Sequence, residues 1–177
     1  MKKNGWKTIG GLCAAAAFAC LSACSNPAST TTSEGTPHMV VSGPVSLGDS
    51  VVVSLPLVSG KNTYGFGQVY GTGDNTSATV SLTISNTGTA PLVLSGSSPY
   101  VTISANSDNS AWLSQLSIPT PPRQTIPAGE SSKCVIKLAG VSWVNIGGRE
   151  YTATAKISSN DPDEPDFTLS LTGNIGC

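Results

Sequence analysis

An all-β antiparallel sandwich of about seven to eight strands is the fold this 177-residue sequence predicts. Three observations carry that expectation. Beyond residue 37 the apolar residues recur with a period of two, and no long stretch holds a helical period. Clusters of Gly, Pro and Asn cut the alternating stretches into short lengths. Polarity comes mainly from 26 Ser and 19 Thr rather than from charge, which accounts for only 11% of residues. Hydroxyl side chains on the solvent face of a pleated sheet fit that pattern.

The strands follow in order. Met39 to Val41 reads as a short edge strand, and Val51 to Leu57 as a second. Val80, Leu82 and Ile84 alternate with Ser81, Thr83 and Ser85 until Asn86-Thr87-Gly88-Thr89 breaks the run. That tetrapeptide suits a hairpin with positive φ at Gly88, after which Pro91 to Leu94 starts again. Tyr100 to Ala105 is another candidate. Cys134, Ile136 and Leu138 form the inward side of a strand that turns Lys133 and Lys137 outward. Tyr151, Ala153, Ala155 and Ile157 alternate with polar residues, as do Phe167, Leu169 and Leu171. Between these two strands, Asn160-Asp161-Pro162-Asp163-Glu164-Pro165 is a turn in which Asp161 caps local amides and Pro162 fixes φ.

The N-terminus has its own logic. Lys2, Lys3 and Lys7 precede an apolar, Ala-rich run from Thr8 to Cys20, the layout of a secretory signal. Leu21-Ser22-Ala23-Cys24 closes it and resembles the lipobox of bacterial lipoproteins. The resemblance implies cleavage after residue 23 and a lipid on Cys24, which anchors the chain to the cell envelope; Ser25 points to the outer membrane where the organism has one. An uncleaved anchor, or an ordinary secretory signal leaving Cys24 a free thiol, is the alternative. Residues 24 to 37 hold no apolar residue larger than Ala after the cysteine and read as a flexible tether. Residues 38 to 177 remain for one domain, enough to close a core. No later apolar run reaches the ~18 residues a spanning helix needs. A net charge of -1 offers no electrostatic footprint for nucleic acid.

Four segments in sequence order sharpen the fold: Phe66-Gly67-Gln68-Val69, then Leu82 to Leu92, then Ile126-Pro127-Ala128-Gly129-Glu130-Ser131, and Ile157 to Pro165. Together they resemble the Hydin-like or ASH-type immunoglobulin-like domain, which in bacterial envelope proteins occurs as the choice-of-anchor D module. The similarity spans residues 60 to 173. It implies a sandwich related to the major sperm protein fold, a role in surface architecture or protein contacts, and no shared catalytic residues. Two connections are longer than that pattern: residues 106 to 128, with Trp112, and residues 139 to 149, with Trp143. Long connections on a rigid scaffold are where binding tends to be placed.

Constellations for chemistry are sparse. His38 is the one histidine and sits at the junction of tether and domain, a poor place for a catalytic base, so a solvated imidazole is expected. Asp161, Asp163, Glu164 and Asp166 suggest calcium superficially, but Pro162 and Pro165 stiffen the turn and no loop glycine permits the wrap of an EF-hand. With Cys24 acylated, Cys134 and Cys177 are the thiols left. They either form a disulfide or leave Cys134 buried and free; in an up-and-down strand order the last strand would end beside Leu138, so the tail would have to fold back to reach Cys134. Trp112 and Trp143 either plug the ends of the sandwich under their own loops or form an interaction surface for a protein or a sugar. The expectation is an envelope lipoprotein with no cofactor and no enzymatic centre, whose domain is a structural or protein-interaction module. A carbohydrate- or small-ligand-binding domain using the Trp112 and Trp143 loops is the alternative.

Overall fold

The computed structural model describes residues 35–47, 51–70, 76–105, 113–140 and 150–176. These belong to a compact unit spanning Glu34–Cys177; the other unit, Met1–Ser33, lies outside the described residues, as do the expected signal and Cys24. The fold is an immunoglobulin-like β-sandwich, as the alternation predicts. Among the described residues it has eleven strand segments rather than seven or eight: β1 (Met39–Leu47), β2 (Val51–Pro56), β3 (Thr63–Tyr70), β4 (Ser77–Asn86), β5 (Leu92–Val93), β6 (Val101–Ala105), β7 (Leu116–Thr120), β8 (Thr125–Ile126), β9 (Ser131–Ala139), β10 (Glu150–Ser158) and β11 (Asp166–Gly176).

One sheet runs β2-β1-β4-β9-β7 and the other β3-β11-β10-β6, with β5 and β8 paired separately. The alternating residues point where the period-two pattern puts them. Val80, Leu82 and Ile84 of β4 lie opposite Ile136, Cys134 and Ser132 of β9, all on the inner face. On the inner face of the second sheet, neighbouring strands β10 and β11 set their apolar residues side by side: Ala153 beside Leu171, Ala155 beside Leu169, and Ile157 beside Phe167. Burying side chains of this size contributes roughly 1.5–3 kcal/mol each relative to leaving them exposed. Tyr64 packs its ring edge against Phe66, with centroids 5.2 Å apart, and its hydroxyl donates to Thr79 O at 3.2 Å, tying the edge of one sheet to β4 of the other.

Several expectations are corrected. Met39 does not begin a short edge strand: β1 is nine residues long and interior, paired with β4 through Met39–Ser42 and with β2 from Ser42 onward. The sandwich is not wholly antiparallel, because β3 runs parallel to β11. The turn after β4 makes no hairpin; β5 pairs with β8, and Leu94 bridges to Ser159. The last strand lies in the opposite sheet from β9, not beside Leu138. The connection from 106 to 128 is also not all loop, since it supplies β7 and β8.

Candidate functional site

Described polar chemistry concentrates at one pole of the sandwich, where β1 begins and β4, β10 and their turns end. Asn86 is 1% exposed and spends its whole side chain on the backbone. Its Nδ2 donates to Ala90 O at 2.8 Å and Ile126 O at 2.9 Å, while Oδ1 accepts from Gly88 N at 3.0 Å and His38 N at 3.3 Å. Gly88 does not adopt the positive φ expected of it; Gly60, Gly67, Gly96 and Gly129 do. It is glycine because the chain at Thr36–His38 passes so close that a Cβ would lie inside van der Waals contact with Thr36 O, and 2.5 Å from His38 N. Residues 35–37, at the end of the expected tether, thus already belong to the fold: Thr89 N donates to Thr36 O at 2.8 Å, and Thr87 N to His38 O at 2.9 Å.

Asp161 is the second staple. Its Oδ1 accepts from Asp163 N at 2.9 Å and Glu164 N at 3.3 Å, the local capping the Asn-Asp-Pro sequence predicts. Its Oδ2 accepts from Met39 N at 2.6 Å, a contact across 122 residues that fastens β1 to the β10–β11 turn. Burial alone would raise the Asp161 pKa, but the three backbone N–H donors and the His38 imidazole outweigh it and hold the carboxyl below its ordinary value. His38 Nδ1 stands 3.5 Å from Asp161 Oδ2, with half of the side chain exposed. The imidazole therefore has a carboxylate neighbour rather than only solvent.

The four acidic residues of this turn do not converge. Asp166 takes Ser158 Oγ at 2.6 Å and Lys156 Nζ at 2.9 Å, and these partners lower its pKa. The donor atoms that do approach within 4.8 Å of one another are those of His38, Asp161 and Asp163. Three of the four acceptor positions on Asp161 are already used by backbone N–H groups.

Of the residues singled out from sequence, Cys24, Trp112, Trp143 and Cys177 lie outside the described residues. The strand ends that flank the two tryptophan connections share the far pole: Leu116 pairs with Leu138 next to Ala139, and Ala105 pairs with Ala153 near Glu150. Cys134 is a free thiol, fully buried, and burial pushes its pKa up to about 11. Asn86 was legible only as a turn residue, and the His38–Asp161 approach left no local signal because the partners are so far apart in sequence.

Two further features lie along the sheets. An apolar cleft of about 320 Å³ opens between edge strands β6 and β7, lined by Val101, Ile103, Leu116 and Ile118 among others. The outer face of the second sheet carries two depressions of about 290 and 280 Å³ that share Thr172 as a wall.

No family model matches the chain, and no curated protein matches it either. Among solved structures it is similar to a protein of unknown function from Porphyromonas gingivalis W83, with 18% identity and a TM-score of 0.46 over 78% of this chain and 66% of that one. It is similar also to an ASH/PapD-like domain of human CEP192, with 14% identity and a TM-score of 0.46 over 75% of this chain and 98% of that one. A third likeness, to the secreted serine protease VesC of Vibrio cholerae, has 15% identity and a TM-score of 0.40, covering 63% of this chain and 21% of that one.

Proposed function

We propose that the protein is a bacterial envelope or surface lipoprotein, acylated on Cys24, whose immunoglobulin-like domain is a structural or protein-interaction module with no catalytic role. One observation supports the module reading above the others. The buried polar side chains at the described pole, Asn86 and Asp161, commit their hydrogen bonds to the chain's own backbone, so they hold the domain's shape rather than face a substrate. His38 is drawn to the same staple. The order of the ASH-like segments and the Leu21-Ser22-Ala23-Cys24 motif support the same reading, and outer-membrane placement follows from Ser25 where the organism has that membrane.

The test has two arms. Radiolabelled palmitate should enter the native protein and not Cys24→Ala, which should leave the membrane fraction; unchanged fractionation refutes the anchor. A photo-crosslinking residue at Ser104 on edge strand β6, or at Ser81 on the face of the other sheet, should give an adduct of one defined mass in the native envelope, competed by excess unlabelled protein. Absence of any competable adduct refutes the module.

A carbohydrate- or small-ligand-binding role for the Trp112 and Trp143 loops is the second reading. It is favoured by the shared pole of their flanking strand ends. Ala variants at both positions that keep the melting temperature but lose ligand binding would establish it.

A further inference from the structure

We propose that the outer face of the β3-β11-β10-β6 sheet is a binding site for a neutral oligosaccharide, separate from the two tryptophan loops. The register lines up hydroxyls in rows across the strands. Thr63, Ser170, Thr154 and Ser104 form one row with a hydroxyl on each of the four strands. In the next row Gly65 stands beside Thr172, which pairs with Thr152. Neighbouring strands are roughly 4.8 Å apart, so the row offers one hydroxyl at about the advance of each sugar in an extended chain lying across the strands.

The face is indented rather than flat. The first depression is bounded by Thr63, Thr152, Ala153, Thr154, Ser170 and Thr172, and the second by Gly65, Gly67, Thr172, Gly173 and Asn174. The second exists because β3 is bulged against β11: the register shifts between Thr172 and Asn174, Gly67 takes φ +70°, and a Cβ built on Gly67 meets nothing within 4 Å. Side chains are thus missing where a ligand would lie.

Part of the hydrogen-bonding capacity of this face is unspent, although Thr152 is already engaged. Among the described residues, Thr154, Ser170 and Thr172 make no side-chain hydrogen bond within the chain, whereas on the opposite sheet Ser85 and Ser131 bond each other at 2.8 Å. Asn174 Oδ1 is the one described buried side-chain oxygen or nitrogen with no partner, and it borders the second depression. Native structures seldom leave such an atom unsatisfied, because each costs about 1–3 kcal/mol.

The chemistry selects the ligand class. Lys156 and Asp166 neutralise each other, and the described side chains bounding the two depressions carry no charge, so none of them attracts a phosphate or an anionic polymer. Main-chain groups of the interior strands β11 and β10 are consumed by strand pairing, so the face itself, unlike the outer edges of β3 and β6, gives an added peptide strand no ladder to join. Hydroxyls that both donate and accept, held stiffly on β-branched Thr, match the hydroxyls of a sugar ring. No aromatic platform stands among the described lining residues, so a modest affinity is expected.

The full chain in detergent would be titrated with cellohexaose, chitohexaose and maltohexaose, followed by saturation-transfer NMR and calorimetry. At least one should bind, and Thr154→Val together with Thr172→Val should weaken it at least about tenfold, each neutral hydrogen bond accounting for roughly fivefold. Thr83→Val, on the outer face of the other sheet, should bind as the parent does. Should the double variant melt early, Ser170→Ala decides in its place, with about fivefold weaker binding expected. Binding by none of the three probes overturns the proposal. So does undiminished binding in a correctly folded double variant or in Ser170→Ala.

Discussion

Asn86→Asp replaces one amide nitrogen by oxygen and changes almost nothing in shape, so it isolates what the side chain does. In the native fold Nδ2 gives its two hydrogens to Ala90 O and Ile126 O at 2.8 and 2.9 Å. An aspartate there loses both donors and sets a carboxylate oxygen against two carbonyl oxygens, at a position 1% exposed. Two lost hydrogen bonds, two carbonyls left unpaired and a buried charge together cost about 4 kcal/mol. At roughly 3 °C per kcal/mol for a domain of this size, the melting temperature at pH 7 should fall by about 12 °C. Asn86→Ala creates the same orphaned groups without the charge and should lose less, about 3 kcal/mol. The charge gives the experiment a second axis. The carboxyl that Asn86→Asp introduces is buried and would titrate above the ordinary aspartate value, so its penalty is full above that raised pKa and shrinks as pH falls through it, when the acid regains a donor. Circular dichroism melts of parent and both variants between pH 4 and pH 8 make the comparison. If Asn86→Asp melts within about 2 °C of the parent at pH 7, or no lower than Asn86→Ala, the staple does not carry the load assigned to it.

Other expectations follow from neighbouring features. Gly88→Ala should cost more than about 2 kcal/mol, because the added Cβ meets Thr36 O and His38 N with no flexible side chain able to yield; a melt unchanged from the parent contradicts the close approach. Asp161 has a folded-state pKa below its unfolded value of 3.8, so its stabilisation is complete above that value and is lost as pH falls through the folded pKa. Denaturant titrations should therefore show Asp161→Asn less stable than the parent at pH 7, by about 2 kcal/mol, with the gap narrowing as the pH falls below 3.8 and through the lowered folded-state pKa. Cys134, with its thiol pushed up to about 11 and no exposure, should resist iodoacetamide at pH 8 in the native protein and react fully in denaturant. Peptide mapping reads the modification, and rapid native labelling at Cys134 would show the core to be open.

Much of the fold is written in local pattern. Val80 to Ser85 and Ala153 to Ile157 alternate because one face is buried, and the two sheets assemble around those faces. What the pattern conceals is pairing. Nothing local tells β3 to lie parallel to β11, and its alternation is interrupted at Gly67, where the bulge shifts inward residues from Tyr64 and Phe66 to Val69. The role of Met39 as the start of an interior strand was hidden for a different reason: its main-chain N–H is held by Asp161, 122 residues away. Asp161 and Gly88 were both recognised as turn residues. For Asp161 the local reason was right and the distant one unseen. For Gly88 the reason was space, set by a passing segment, rather than backbone dihedral. The hydroxyl rows on the second sheet became visible only with the register, since Thr63, Ser170, Thr154 and Ser104 are scattered over the sequence.

The way β1 joins the sandwich bears on how the domain would withstand tension. A pull delivered through residues N-terminal to Gly35 acts along β1, while a load held at the opposite pole acts along β4 in the other direction. The hydrogen bonds between Met39–Ser42 and Thr83–Asn86 lie across that line and are strained side by side, not opened one after another. Ahead of them stand the Thr36, His38 and Met39 backbone contacts with Thr89, Asn86 and Asp161. A domain moored by its first residues would therefore resist extension by shear, with these clasps as the first to give way.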